Sequence, residues 1–504
     1  MIGKIYTAGR PGFHSQLVTV EADILSGLPN LTIVGLPDHA VRESRERIRS
    51  AITNSGFTFP ARQIVINLSP NDTPKEGGLM EAAMAVAVLV ASGQLPQEKF
   101  RDSAILASLS LDGSLQTARG IAAAAVFASS KQQVKNLLIP ATASSEITTP
   151  SDVAVFALKH LSDLTAFAYD QLEPREHYAY ESEREYPEIT LEQIFGLAAA
   201  KRALAIAAVG RHHMLMVGSP GTGKSLLARA YRYILPALTF TEAAEVTRIH
   251  SLAGLGAGEL VRVRPYRSPH HSTSMPALVG GSTQAKPGEI SLAHYGTLFL
   301  DELPEFRNEA LQSLREPLED KKITIARARG HITYPADFQL IAAANPCRCG
   351  DLFSRDRRCS CKGGNSLAQF SKLVGPFLDR IALEINLNAL DETFAPPREH
   401  TTAGVQATVS KARERSIRRN NGLLNSEIDP QTLYRIFAVL KPMQIYERSA
   451  SAERLTMRSW LNTLRVALSI ADFDGVEVQE IHVLEAMQYR FLRKRIEQIQ
   501  SQAA

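Results

Sequence analysis

The sequence predicts a multidomain α/β protein with an N-terminal α+β domain, a central α/β domain and a C-terminal helical domain. Its 504 residues are too many for a single hydrophobic core. Short β-like runs alternate with helical patterns as far as Asn388, and only helical periodicity follows Pro396–Pro397. We therefore divide the chain into a first domain at 1–170, a linker at 171–187, a central domain at 188–393 and a helical domain at 394–504.

The composition is that of a soluble globular protein, with 44% hydrophobic and 21% charged residues. A net charge of +4 neither requires nor excludes a nucleic-acid partner. The longest apolar stretch, Ala82–Ser92, is too short to span a bilayer, and the first residues do not form a signal peptide. We expect a cytoplasmic protein that has no membrane partner.

The first domain alternates β-like and helical segments, which favours a compact α/β or α+β fold. The predicted strands are Leu31–Val34, Ile64–Leu68, Ala104–Leu109 and Val153–Ala157, and the predicted helices are His39–Asn54, Leu79–Ser92 and Ile121–Ser130. Residues Gln171–Pro187 are rich in Glu, Arg, Tyr and Pro and have no apolar period, which indicates an exposed linker.

The central domain opens with a strand, a glycine-rich loop and a helix, the context that a phosphate-binding loop requires. The strand candidate is His213–Val217, the loop reads GSPGTGKS, and the helical pattern LLARAYRYI follows. Backbone amides of such a loop surround the phosphates of ATP at a helix N-terminus. Lys224 would reach the β- and γ-phosphates, and the Ser225 hydroxyl would bind Mg²⁺. The predicted ATP-binding residues of the loop are Gly218, Ser219, Pro220, Gly221, Thr222, Gly223, Lys224 and Ser225.

A second element of the same site is Thr297–Glu302, where four residues of strand character end in two carboxylates. Asp301 would bind the Mg²⁺ ion, and Glu302 would orient and polarise the attacking water. Such a run by itself usually marks a strand that ends in solvent. Its position downstream of the phosphate-binding loop favours the catalytic interpretation.

Several longer segments resemble one family, the magnesium-chelatase-like AAA+ ATPases, and the chain as a whole resembles the YifB/ComM group of that family. The segments that carry the resemblance are GLPNLTIVGLPDHAVRESRERIRSAI (27–52), RSPHHSTSMPALVGG (267–281), KPGEISLAHYGTLFLDELPEF (286–306), LREPLED (314–320), ANPCRCG (344–350) and GPFLDRI (375–381).

The resemblance implies a homohexameric ring with ATP sites between subunits. It implies that Asn345, which follows the predicted strand Phe338–Ala343, is the sensor-1 residue that positions water. In isolation, an Asn before Pro346 would be read as a turn residue. It also implies that Arg380 is an arginine finger for the neighbouring subunit and that Arg458 is the sensor-2 arginine of a helical lid.

The N-terminal domain resembles the Lon-protease-like (ribosomal S5-like) fold, with one functional difference. The segment 74–85 reads PKEGGLMEAAMA and has no hydroxyl counterpart of the Lon-like serine near Gly78–Leu79. Without a nucleophile beside a base, acyl transfer is not expected. We therefore interpret this domain as a non-catalytic interaction module. In addition, Gly196-Leu197 replaces the Gly-Gln common in the family, which argues against an adenine contact there.

Two basic segments are candidates for DNA contact. Lys321–Pro335 predicts a hairpin with its turn at Gly330, and Arg327, Arg329 and His331 lie around its tip. In helicases of this clade the equivalent hairpin enters the pore of the ring, where cationic residues bind a phosphate backbone. A solvated hairpin with arginines is the alternative. Arg262–His271 combines basic residues with an aromatic ring, Tyr266, which suits either DNA contact with stacking or subunit packing.

Other basic or histidine-rich stretches receive no role from the sequence. His270–His271 lacks further ligands at metal-binding spacing and is interpreted as structural or interfacial. The runs Lys411–Asn420 and Arg490–Arg495 are more typical of solvated helix faces than of DNA-binding ones.

All four cysteines fall in one short segment, as the pairs Cys347/Cys349 and Cys359/Cys361. In extended backbone, side chains two residues apart share a side, so each pair is able to bind the same ion. Four thiolates match a closed, tetrahedral Zn²⁺ site, although the spacing differs from the more common C-x-x-C. Structural zinc and reduced, unliganded thiols both remain open.

The leading functional hypothesis is an ATP-dependent hexameric DNA motor. Membership of the YifB/ComM group would imply a helicase that promotes branch migration on single-stranded or branched DNA during natural transformation, together with other recombination proteins. The alternative is a chelatase-type ATPase that remodels a protein partner, although the long N-terminal domain is atypical of it. A Lon-like protease lacks its nucleophile, and a module that uses ATP only for assembly is a further alternative.

Overall fold

The computed structural model of the chain divides into two compact units, Met1–Glu183 with Leu238–Arg262, and Arg184–Ala237 with Val263–Ala504. It describes residues 2–8, 17–71, 75, 78–118, 120–143, 147, 149, 152–175, 187–255, 260–281, 286–327, 330–353, 359–361, 377–389, 401–440 and 456–503. Most of the expected linker, residues 176–186, lies outside these ranges.

The first unit contains a seven-stranded mixed sheet and a separate two-stranded ladder. Its strands are β1 Gly3–Ala8, β2 Leu17–Leu25, β3 Asn30–Val34, β4 Gln63–Ser69, β5 Ser103–Ile105, β6 Ser108–Leu109, β7 Leu115–Gln116, β8 Asn136–Pro140 and β9 Ala154–Leu158. The sheet order is β3-β4-β2-β1-β5-β8-β9, with β6 and β7 paired apart from it. The predicted strand Ala104–Leu109 is thus divided between β5 and β6.

Among the described residues, five α-helices precede the second unit in the chain. They are α1 His39–Asn54, α2 Glu81–Ala91, α3 Gln97–Phe100, α4 Ile121–Ser129 and α5 Asp163–Ala168. Helix α1 begins where the Asp38 carboxylate accepts a hydrogen bond from Val41 N at 2.7 Å. All eleven residues of α2 are buried, because its small alanines let neighbouring elements approach it on every side.

The second unit is built around a five-stranded parallel sheet in the order β11-β12-β15-β10-β16, with β13 and β14 forming a hairpin. Its strands are β10 Met214–Val217, β11 Tyr266–Arg267, β12 Thr297–Leu300, β13 Lys322–Arg327, β14 Gly330–Pro335, β15 Gln339–Ala344 and β16 Leu383–Asn386. Four-residue strands that are buried throughout, such as β10 and β12, are typical of a parallel sheet covered on both faces.

The helices of the second unit pack around this sheet and continue to the C-terminus. They are α6 Ala198–Gly210, α7 Lys224–Tyr231, α9 Met275–Val279, α10 Glu289–Leu292, α11 Asn308–Ser313, α12 Arg315–Asp320, α13 Thr402–Arg419, α14 Pro430–Ile436, α15 Met457–Asp474, α16 Glu480–Gln488 and α17 Leu492–Ala503. Helices α13 and α15 pack against α6 and place the buried Trp460 in the same core as the sheet. The predicted multidomain α/β fold with a helical C-terminal region is confirmed.

One helix belongs to a different unit from the chain segments on either side of it. Helix α8, Phe240–Ala253, packs against α4 of the first unit, although the chain on both sides of it belongs to the second. Its start is fixed by a capping box, in which Thr239 and Glu242 satisfy each other's backbone N–H. The sequence-based division assigned this segment to the central domain.

None of the helices in the described residues combines the length and the apolar character that crossing a bilayer needs.

Candidate nucleotide-binding site

Three polar chain segments meet at one edge of the parallel sheet. Val217 of β10 pairs with Ala344 of β15, and Leu300 of β12 pairs with Ala342. Each strand therefore ends at nearly the same level, and the residues that follow lie side by side. In open α/β sheets this carboxyl edge is where ligands bind.

The phosphate-binding loop begins at Gly218, whose N–H donates to Ala344 O at 3.2 Å. Gly223 has φ +89°, a left-handed conformation that glycine adopts at little cost, and it leads directly into α7. Lys224 is buried, and its Nζ donates to Gly218 O and Ser219 O at 2.8 Å each. Burial lowers the pKa of Lys224, while the Asp301 carboxylate opposes that shift.

A hydroxyl and a carboxylate meet beside this lysine. Ser225 Oγ donates to Asp301 Oδ2 at 2.8 Å, which joins the start of α7 to the end of β12. Hard divalent cations prefer oxygen ligands of these two kinds. The pair therefore fits a Mg²⁺ ion, as the sequence predicted, and both residues would hold it beside the phosphates.

Glu302 is directed by a strained turn and by a partner that the sequence did not reveal. Its φ of +50° is unusual for a non-glycine residue and turns the chain sharply after β12. Its N–H donates to Asp301 Oδ1 at 2.9 Å. Its Oε2 lies 3.1 Å from His271 Nδ1. His271 was expected to be structural or interfacial, and no spacing signal links residues 271 and 302.

Asn345 follows β15 immediately and is half-buried. Because Ala344 pairs with Val217, Asn345 lies at the edge from which the phosphate-binding loop leaves the sheet. This position suits the proposed water-positioning role.

Arg380 and Arg458 are brought together on one carboxylate. Arg380 Nη2 lies 2.9 Å from Glu319 Oε2, and Arg458 Nη2 lies 2.7 Å from Glu319 Oε1. The two arginines line one cavity with Arg211 and Asp337. The described residues that line this cavity include none of the phosphate-binding loop, 218–225. The pairing through Glu319 was not predicted.

The hairpin has the predicted position between α12 and β15. Its register pairs Arg327 with Gly330 and Ala326 with His331, so Gly330 begins β14 and does not form the turn. Arg329 lies outside the described residues, as do the side chains of Arg327 and His331.

In the second basic segment, Arg262–His271, Tyr266 and Arg267 contact other residues of the same unit. Tyr266 is half-buried in β11 and stacks on Phe299 with ring centroids 6.2 Å apart. Arg267 forms an ion pair with Glu289 at 2.6 Å. These contacts are a poor match for base stacking by Tyr266, and they place both residues beside the central sheet.

The four cysteines converge as expected. Their Sγ atoms all lie within 4.8 Å of one another, and Cys347 is buried. Burial raises the pKa of the Cys347 thiol, while the backbone N–H of Asp351 lowers the pKa of Cys349. Residues 354–358, which include Arg355, Arg357 and Arg358, lie outside the described residues.

Three family models match the chain. They are described as magnesium chelatase subunit ChlI over residues 190–394, subunit ChlI of Mg-chelatase over residues 20–143, and magnesium chelatase subunit ChlI C-terminal over residues 399–490.

Relatives of similar length match almost the whole chain. The YifB protein of Escherichia coli is 38% identical over 510 residues, and the competence protein ComM of Haemophilus influenzae is 36% identical over 509 residues. Each alignment covers 98% of both chains. An archaeal Lon protease of Archaeoglobus fulgidus is 46% identical over 50 residues, which are 10% of this chain and 8% of that protein.

Proposed function

Since this chain belongs to the YifB/ComM group of magnesium-chelatase-like AAA+ ATPases, we propose that it is a hexameric DNA motor that hydrolyses ATP. The observation that carries the proposal is the convergence of Lys224, Ser225 and Asp301 at the carboxyl edge of the sheet. Lys224 would bind the β- and γ-phosphates, and Ser225 and Asp301 would hold Mg²⁺, which would supply positive charge beside the transferred phosphoryl group. Glu302 orients the attacking water, with Asn345 beside it.

The arginine pair supports a ring in which one subunit completes the site of the next. Arg380 and Arg458 share Glu319 in a cavity to which, among the described residues, the chain's own phosphate-binding loop does not contribute. A neighbour's triphosphate would compete with Glu319 for both guanidinium groups. Permanently charged, planar guanidinium groups suit the charge that develops during phosphoryl transfer.

We place DNA at the β13–β14 hairpin. A two-stranded hairpin with arginines near its end is able to follow a phosphate backbone without reading bases. The name of the Haemophilus influenzae relative links that protein to competence. On this basis we assign the present chain a role in branch migration during integration of incoming DNA, in the cytoplasm and together with recombination proteins. In this function the first unit binds a partner, and the four cysteines hold a structural Zn²⁺ ion.

The test is ATP turnover with and without single-stranded and branched DNA, followed by three-stranded branch migration. We expect DNA to stimulate turnover, and strand exchange to require ATP that can be hydrolysed. The double variant Arg327→Ala/Arg329→Ala should keep basal turnover and lose the stimulation. Lys322→Ala, at the base of the same hairpin, is the matched control and should respond to DNA normally.

Normal stimulation of the double variant would remove the hairpin from the proposal. Turnover that ignores every DNA tested would instead favour the alternative, a chelatase-type ATPase that remodels a protein partner. The descriptions of the matching family models are the observation behind that alternative.

A further inference from the structure

The cysteine cluster has the dimensions of a metal site. We define the cysteine loop as the described residues 346–353 and 359–361. Cys347 Sγ lies 3.2 Å from Cys349 Sγ and 3.7 Å from Cys359 Sγ. The distance between Cys349 Sγ and Cys359 Sγ is 3.5 Å. Tetrahedral Zn²⁺ with bonds of about 2.3 Å requires sulfurs about 3.8 Å apart. Disulfide sulfurs would be about 2.0 Å apart, and all four thiols are free.

The same loop contacts the phosphate-binding loop through one glycine. Gly350, which follows Cys349 directly, accepts a hydrogen bond on its carbonyl oxygen from Ser219 Oγ at 2.8 Å. Its φ is +87°, and a Cβ at this position would lie 2.7 Å from Pro220 Cδ and 3.0 Å from Ser219 Cα. Only glycine therefore lets the two loops approach this closely.

Asn388, just after β16, ties the two loops together a second time. Its Nδ2 donates to Gly350 O at 3.0 Å, and its Oδ1 accepts from Ser219 N at 2.8 Å. Ser219 is thus held at its backbone N–H by Asn388 and at its side chain by Gly350. A displacement of Gly350 would disturb both contacts of Ser219.

We infer that Cys347, Cys349, Cys359 and Cys361 bind one Zn²⁺ ion and that this ion controls nucleotide affinity by fixing Gly350 against Ser219 and Pro220. The ion fixes Cys349, and Cys349 fixes the adjacent Gly350. Loss of the ion frees the cysteine loop and with it the first turn of the phosphate-binding loop. This inference rests on the proposed ATP site at residues 218–225.

The experiment measures metal content and nucleotide affinity separately on the full chain. Elemental analysis of the purified protein should give about one zinc ion per chain. Fluorescence titration with N-methylanthraniloyl-ATP should then give a Kd that rises about tenfold in the zinc-free variant Cys361→Ser, comparable to the loss of one hydrogen bond. Ser360→Ala, an exposed neighbour in the same loop, is the matched control and should change neither quantity.

A second variant removes the loop contact and leaves the ligands in place, which keeps the test informative if Cys361→Ser does not fold. Gly350→Ala should retain zinc and still weaken nucleotide binding. Gly422→Ala controls for backbone strain, because it has φ +96° with open space around the added Cβ. Its zinc content and Kd should match those of the unmodified protein.

The possible failures are distinguishable. Absence of metal, or iron in place of zinc, would overturn the zinc site whatever the nucleotide affinity. Unchanged affinity in zinc-free Cys361→Ser, or in Gly350→Ala, would overturn the coupling and leave the proposed ATP site intact. Failure of the unmodified protein to bind the nucleotide would overturn the proposed function and the coupling together, while its zinc content would still report on the cluster.

Discussion

Each of the two α/β units buries charged side chains, but the two units give these side chains different kinds of partners. In the second unit, Lys224 and Asp301 lie at the carboxyl edge of a parallel sheet, where Lys224 Nζ donates to Gly218 O and Ser219 O and contacts Thr222 Oγ1 at 3.5 Å. In the first unit, Glu81 at the start of α2 is 3% exposed. One of its oxygens accepts from Arg47 at 2.5 Å and the other accepts from Leu109 N at 2.9 Å.

This difference helps to distinguish a buried charged residue of a ligand-binding site from one that stabilises the fold. Glu81 has partners on both oxygens and stabilises the packing of a wholly buried helix. Lys75, also buried, donates to Pro70 O. Lys224 and Asp301 instead converge with Ser225 at the carboxyl edge of the sheet, which is where open α/β sheets bind ligands. The described partners of Glu81 and Lys75 belong to the first unit itself, whereas Lys224 and Asp301 belong to the predicted ATP site.

The largest expected effect is the loss of ATP turnover when Lys224 of the second unit is replaced. Lys224→Ala should abolish ATP turnover, because the phosphates lose the cation that binds them. The measurement is phosphate release at saturating ATP. Lys411→Ala, an exposed lysine on α13, is the control and should turn over ATP normally. If Lys224→Ala turned over ATP nearly as fast as the control, Lys224 would not be part of an ATP site, and the contrast between the two units would not hold.

The next effect tests whether the second unit is completed by a neighbour. Arg380→Ala should lower turnover by about 10²–10³-fold, as expected for one group that stabilises transition-state charge. Mixing it with Lys224→Ala subunits should restore part of the activity, since some interfaces then contain both intact groups. If the mixture stays as inactive as its components, Arg380 does not act between subunits.

A smaller effect is expected at His271. His271→Ala should lower kcat roughly three- to tenfold, with the KM for ATP unchanged, because Glu302 loses the group that orients it. Glu302→Gln should cost more, and adding His271→Ala to it should change little further, since the two residues act through one contact. Additive losses in the double variant would show that His271 acts independently of Glu302.

The smallest effect on catalysis is expected in the first unit. Glu81→Gln should leave ATP turnover unchanged and destabilise the first unit by about 1–3 kcal/mol, because a neutral amide satisfies Arg47 and Leu109 N less well than a carboxylate does. Thermal unfolding followed by circular dichroism provides the measurement, with the exposed Glu98→Gln as control. Lost turnover in a folded Glu81→Gln protein would show that the first unit contributes chemistry.

The predictions of the phosphate-binding loop, the acidic strand end and the cysteine pairs depended on local spacing alone. The strand before Gly218, the glycines and Lys224-Ser225 are consecutive in the chain, so their geometry depends on short-range backbone preferences. The helix His39–Asn54 was also predicted with the bounds that the structure gives, because its apolar period and its Asp38 cap are local.

Basic residues were harder to interpret from the sequence. Arg413 and Arg490 belong to runs that are typical of solvated helix faces, yet both are buried. Arg413 donates to Ala208 O at the end of α6, and Arg490 donates to Ser459 Oγ and pairs with Glu384. Their carbonyl and carboxylate partners come from distant elements, which helical periodicity does not identify.

The sequence by itself therefore determined the class of fold, and it predicted the chemistry of the phosphate-binding loop. Only the tertiary structure decided that His271 meets Glu302, that Glu319 joins Arg380 to Arg458, and that Gly350 lies against Ser219. The physical reason is that periodicity specifies which face of an element is buried, whereas contacts between distant segments depend on strand order and loop path. That order, β11-β12-β15-β10-β16, is set by packing over the whole unit.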